Sequence, residues 1–143
     1  VASPEENKKI VLDYFEMFFN QHRIDEAVDN YQAPSYIQHN PALPNGPEAL
    51  KTAMKSLVAQ FPDLRFDVKR AFADGDYVIV HSEMTGLNWV LDGADTPSAG
   101  AAGGETPSYA VVDILRMEDG RIAEHWDVIQ RVPEQPAGGN SMF

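Results

Sequence analysis

An α+β fold is predicted for this chain: three N-terminal helices folded over a curved antiparallel sheet of about four long strands, with a pocket between them. Three observations predict it. Apolar residues recur at helical spacing only before Phe61. From Leu64 onward the apolar period changes to two. The two kinds of segment are segregated along the chain, which argues against a doubly wound parallel sheet.

The first helix is predicted from Pro4 to about Asn20. Ser3-Pro4-Glu5-Glu6 supplies a cap, a proline at the first turn and a capping-box glutamate. Ile10, Val11, Tyr14, Phe15, Met17 and Phe18 then form a wide aromatic stripe that needs a large surface to pack on. A second short helix fits Asp25 to Tyr31 and stops before Ala33-Pro34. Tyr36 to Asn40 reads as a short extended or irregular segment closed by Pro41, and Leu43-Pro44-Asn45-Gly46 is turn chemistry. Pro47 opens a third helix that runs to about Gln60, with Leu50, Met54, Leu57 and Val58 on one face and Phe61 at its end.

Leu64, Phe66 and Val68 alternate with charged residues in a half-buried strand. Asp74-Gly75-Asp76 turns the chain into a second strand, Tyr77 to Gly86. Leu91 to Pro107 carries four Gly, four Ala and two Pro without a period, and is predicted as a long hairpin loop. Tyr109 to Glu118 and Ile122 to Gln130 form the last hairpin. One domain over 1–132 and a polar tail over 133–143 follow, with no internal repeat.

Composition narrows the function. The 143 residues hold 11 Lys+Arg against 22 Asp+Glu, a net charge of −11. That leaves little from which to build a phosphate-tracking face, so neither nucleic acid nor an anionic membrane is an expected partner. The absence of cysteine excludes disulfides, thiolate metal sites and cysteine nucleophiles. No apolar run approaches the roughly 20 residues of a membrane helix, and no basic-then-apolar leader is read. The chain begins at Val1, which fits a trimmed chain or one whose leader was removed. The compartment stays open between cytoplasm and export.

The last hairpin suggests where chemistry sits. A type I turn with Gly120 in a bulge would set Met117 opposite Arg121, Asp113 opposite His125 and Val111 opposite Asp127. A two-residue turn would instead put Asp113 beside Trp126. The bulged register is preferred, because it gathers two carboxylates and an imidazole on an apolar face that also carries Tyr109. A carboxylate in an apolar strand must be paired, hydrogen-bonded or protonated. His81 lies mid-strand and His39 lies between helices; both are taken as pocket candidates. Tyr14, Phe18, Met54, Phe61, Tyr109 and Trp126 are candidate substrate-lining residues, although Trp126 also suits packing or a subunit contact.

Two phrases carry a resemblance. Tyr36-Ile37-Gln38-His39-Asn40-Pro41 and Gly120-Arg121-Ile122-Ala123-Glu124-His125-Trp126-Asp127-Val128, with the order of elements, resemble the SnoaL-like group of the nuclear transport factor two-like superfamily over residues 5 to 131. The resemblance implies a cone-shaped α+β barrel and polyketide-cyclase-like chemistry, an intramolecular aldol condensation driven by an aspartate base with no metal or cofactor. Asp127 matches that aspartate best, with His125 beside it. The same scaffold hosts isomerases, dehydratases and non-catalytic binding domains, so fold alone does not choose among them.

The expected reading is a cofactor-independent enzyme on a small carbonyl-containing, partly apolar substrate. Asp127 is the base, Asp113 its orienter or the acid, and His39, His81 and His125 polarise or position. A non-catalytic ligand-binding or dimerisation domain is the first alternative. A metal site built from His39, His81, Asp113 and His125 is the second, though no local spacing supports it. Family likeness, β-branched residues on both sheet faces and the prevalence of two-fold dimers point to a homodimer.

Overall fold

A computed structural model describes residues 2–88 and 107–143. The predicted loop segment lies, apart from Pro107, outside the described residues. Helix α1 (Pro4–Phe15) starts with the expected capping box: the Ser3 side chain accepts from the Glu6 N–H, and the Glu6 carboxylate accepts from the Ser3 N–H. One π-helical turn, Glu16–Asn20, continues it. The Asn20 amide there both donates to the Phe66 carbonyl and accepts the Phe66 N–H, at 3.0 and 2.8 Å. A side-chain amide thus stands in for a neighbouring strand on the outermost strand of the sheet. Helix α2 (Ile24–Tyr31) and helix α3 (Pro47–Gln60) follow the predicted bounds closely.

The sheet has five strands: β1 (Gln32–Gln38), β2 (Arg65–Asp74), β3 (Tyr77–Thr85), β4 (Tyr109–Glu118) and β5 (Arg121–Arg131). Their spatial order is β1-β5-β4-β3-β2. The last four form the predicted antiparallel meander. β1 is the addition, running parallel to β5 where a short extended or irregular segment, with no strand partner, was expected at Tyr36–Asn40. Pro34 hid it. The ladder is irregular between Gln32 and Ile37, so the proline's missing N–H costs no pairing there.

The sheet is curved and unclosed, and the helices cover one face. Val78, Val80, Ser82 and Met84 of β3 and Val111, Asp113, Leu115 and Met117 of β4 point into that face, packed beneath Val11, Tyr14, Phe15 and Phe18. Alternate residues point outward, among them Phe72, Tyr77, Ile79 and Val128. Gly86, just past the end of β3, has a φ of +89°. A Cβ there would lie 2.0 Å from the Asp63 carbonyl oxygen, so only glycine lets the two segments meet.

The last hairpin corrects the expected register. Asp119 and Gly120 both have positive φ, 50° and 76°, as a two-residue type I′ turn requires. Glu118 pairs with Arg121 and Met117 with Ile122, but Arg116 pairs with Glu124. Ala123 is the extra residue of a bulge in β5, one pair beyond the turn rather than in it. Beyond the bulge, Leu115 faces His125, Asp113 faces Asp127 and Val111 faces Ile129. Neither sequence register describes these pairs. The inserted residue nonetheless leaves Asp113, His125 and Asp127 on the covered face and sends Trp126 to the other.

The tail also departs from a plain polar extension. The Phe143 ring lies 5.8 Å from that of His81, and Lys69 Nζ sits 5.4 Å from the Phe143 centroid, so the chain folds back on the outer face of β2 and β3.

Candidate functional site

Between the helices and the inner sheet face lies a cavity with about 630 Å³ of empty space, its mouth included. Most of its wall is apolar, from Phe18, Met54, Val111, Leu115 and neighbours. The polar exceptions gather where β1, β4 and β5 adjoin: Tyr36 and Gln38 from β1, Asn40 just after it, Asp113 from β4, and His125 and Asp127 from β5.

His125 is held from both ring nitrogens. Nε2 lies 2.7 Å from Asp113 Oδ1, and Nδ1 lies 2.7 Å from Gln38 Oε1. The orientation of the Gln38 amide is set independently. Its Oε1 accepts the Asn40 backbone N–H at 3.0 Å, and its Nε2 donates to the Tyr36 hydroxyl at 2.9 Å. The atom facing His125 Nδ1 is therefore an acceptor, and Nδ1 must carry a proton. The second proton of the pair lies between Nε2 and Asp113. Asp127 stands beside them: its two oxygens accept from Asn40 Nδ2 at 3.0 and 2.9 Å, and its Oδ2 is 3.9 Å from His125 Nε2.

Burial dominates the electrostatics of Asp113. It pushes the Asp113 carboxyl above its ordinary range, against the opposing pull of the hydrogen bond and charge of His125. Burial alone would pull His125 down. The hydrogen bond from Asp113 and the charges of Asp113 and Asp127 outweigh it and hold the imidazole above its ordinary 6.5. Burial likewise pushes the Tyr14 and Tyr36 phenols up, so both stay protonated. One carboxylate oxygen, Asp113 Oδ2, is buried with no hydrogen-bond partner. A ligand bringing a donor would relieve it.

Among the predicted site residues, Asp113, His125 and Asp127 come together, and Tyr14, Phe18 and Met54 line the same cavity. The others lie elsewhere. His81 alternates with inward Val80 and Ser82, so it points outward, to Arg70 and Phe143. His39 follows inward Gln38 and is therefore outward too. It meets Glu124 Oε2 at 2.7 Å and stacks on Trp126, ring centroids 4.7 Å apart. Trp126 is displaced from the cavity by the β5 bulge. Tyr109 is buried on the inner face but does not line the cavity, and Phe61, just past α3, packs against the core without reaching it.

The metal set His39, His81, Asp113 and His125 is consequently not assembled, because two of its members lie on the opposite face. Among the described residues, Asp113, His125 and Asp127 could each offer one ligand atom, all within 4.8 Å of one another. Sequence reasoning missed Tyr36, Gln38 and Asn40 as inward residues. A signal was present: they recur with period two around outward Ile37 and His39. A strand that buries its polar residues and exposes its isoleucine is lining a polar site.

A family model for SnoaL-like polyketide cyclases matches residues 9–135. The chain belongs to this family. Solved structures of similar fold include TsrD from Streptomyces laurentii, at 23% identity and TM-score 0.71, covering 91% of this chain and 92% of that one. A SnoaL-like polyketide cyclase from Agrobacterium tumefaciens matches at 17% identity and TM-score 0.68, over 87% and 91% of the two chains. AclR from Streptomyces galilaeus, a proposed hydroxylase, matches at 24% identity and TM-score 0.66, over 90% and 91%. These identities establish shared fold. No curated protein sequence matches the chain. Among the described residues, no helix is long and apolar enough to cross a membrane.

Proposed function

We propose that this member of the family is a cofactor-independent enzyme that removes a proton beside a carbonyl of a small, largely apolar substrate, driving an aldol-type ring closure or a related isomerisation or dehydration. One observation carries the reading: a carboxylate, Asp127, stands beside a buried imidazole–carboxyl pair in a mostly apolar cavity. Family membership and the likeness to a SnoaL-like polyketide cyclase support the carbonyl chemistry.

In this mechanism Asp127 takes the proton, and the C–H electron pair becomes an enolate. The enolate carbon attacks a second carbonyl of the same molecule. A C–C bond forms and the electrons pass to oxygen as an alkoxide. The Asp113–His125 pair gives the alkoxide the proton it holds between Nε2 and Oδ1. The proton on Asp127 then returns to the pair through a bridging water, since its Oδ2 lies 3.9 Å from His125 Nε2. Nothing is oxidised or consumed, and the product of ring closure is an isomer of the substrate.

The test is hydrogen–deuterium exchange of an enolisable ketone such as 2-tetralone, followed by proton NMR. The wild-type chain should accelerate exchange, and Asp127→Asn should lose about 10²–10⁴-fold of that rate. Equal exchange by both proteins would sink the base assignment and leave a binding cavity.

A further inference from the structure

We propose that the Tyr36 hydroxyl is the hydrogen-bond donor that holds the enolate oxygen, and that Gln38 positions it. This rests on the proton-abstraction reading above and adds a residue to it. An enolate generated by Asp127 puts negative charge beside two carboxyl groups, so the site needs a donor that is not already engaged.

Hydrogen-bond accounting finds that donor. His125 is engaged at both nitrogens, by Gln38 and Asp113. Asn40 Nδ2 is engaged by Asp127. Gln38 Nε2 is engaged by the Tyr36 oxygen. Because the Asn40 N–H fixes the Gln38 amide, Tyr36 must accept that bond, and its own O–H proton is left without an acceptor among the described residues. Tyr36 lines the cavity and is close enough to Asp113 and Asp127 for both to disfavour its ionisation. A protonated phenol beside the base, already accepting an amide hydrogen bond, is a fixed donor that needs no rearrangement when charge develops.

Tyr14 is the competitor. It also lines the cavity and accepts from Gln32 Nε2 at 2.8 Å. The Gln32 Oε1 atom has no partner, however, so nothing fixes that amide, and among the carboxyl groups only Asp113 disfavours the ionisation of Tyr14. The backbone-anchored chain Asn40–Gln38 singles out Tyr36.

The probe is 2-naphthol, whose anion resembles an aromatic enolate, bound to an Asp127→Asn chain in which the amide mimics the protonated base. Absorbance and fluorescence report both its affinity and its ionisation in the site. Adding Tyr36→Phe should weaken binding of the naphtholate about 10- to 100-fold, the range of a hydrogen bond to a charged group, and raise the bound naphthol's pKa. Tyr14→Phe should do less. Replacing Tyr36 with 3-fluorotyrosine, a stronger donor of nearly the same shape, should tighten anion binding, which a loss of folding cannot imitate. Naphtholate affinity and ionisation unchanged by Tyr36→Phe, a larger effect from Tyr14→Phe, or no naphthol binding at all would each overturn the assignment. The base reading fails separately, by equal exchange in wild type and Asp127→Asn.

Discussion

Two histidine–carboxylate pairs lie back to back across this sheet. On the inner face His125 Nε2 is 2.7 Å from Asp113 Oδ1; on the outer face His39 Nε2 is 2.7 Å from Glu124 Oε2. The four residues come from two adjoining strands, β4 and β5, and from the residue just past β1, and the two contacts have the same length. Their side-chain exposures differ: 12% and 3% inside, 41% and 16% outside. The carboxyl groups accordingly move in opposite directions. Burial pushes Asp113 up, whereas the hydrogen bonds from His39 and Arg116 pull Glu124 down. Distance therefore does not decide what such a pair can do. The solvent it excludes decides, because water screens the outer pair and leaves the inner one to a low-dielectric cavity.

The difference can be broken at its strongest point first. His125→Ala should cost about 3–5 kcal/mol of stability near neutral pH, read from urea midpoints, because it leaves the Asp113 carboxyl buried without a partner. Part of that loss should return as the pH falls, since the orphaned carboxyl can then be protonated. A loss of under 1 kcal/mol would place the inner pair with the outer one.

Gln38→Leu should be the next most costly, at about 2 kcal/mol in the same measurement. It removes the acceptor of the His125 and Asn40 N–H groups and the donor to Tyr36, and each buried group left unpaired costs about 1–3 kcal/mol with partial relief by rearrangement.

The pH dependence should differ in sign between the pairs. His125 is raised above 6.5 in the folded chain, so its contribution is complete below that value and is lost as the pH climbs through the folded pKa. Asp113 works in the same direction, since a carboxyl raised by burial makes the folded state the better proton binder. Glu124 is lowered below its ordinary 4.5, so its contribution is present above that value and is lost as the pH falls through the folded pKa. Denaturation midpoints should thus fall on the alkaline side for wild type. An NMR titration of His125 with a midpoint at or below 6.5 would contradict the inner-pair assignment.

The smallest effect belongs outside. Glu124→Gln should cost at most about 1 kcal/mol, and most of that should vanish in high salt. A large, salt-independent loss would show that Trp126 and Arg116 seal this pair from water more than its exposure implies.

The local pattern of residues determined much of this protein. The capping box at Ser3, the aromatic stripe of α1, the helix from Pro47 and the alternation of β3 and β4 are properties of short stretches, and each formed as the stretch requires. The face of Asp113 was legible because it interrupts an apolar run of alternating strand. So was the family phrase from Gly120 to Val128. Three things were decided only by the tertiary structure. The parallel pairing of β1 with β5 joins segments far apart in the chain, so the inward set Tyr36, Gln38 and Asn40 had no visible partner. The outward turn of His39 and the loss of Phe61 and Tyr109 from the cavity wall depend on where neighbouring elements close. The bulge at Ala123 is the sharpest case. In a strand the side-chain period is two, so one extra residue exchanges the faces of everything beyond it. The faces of His125, Asp127 and Trp126 are those the bulged register expected; the structure decided that the extra residue is Ala123, within β5 rather than in the turn.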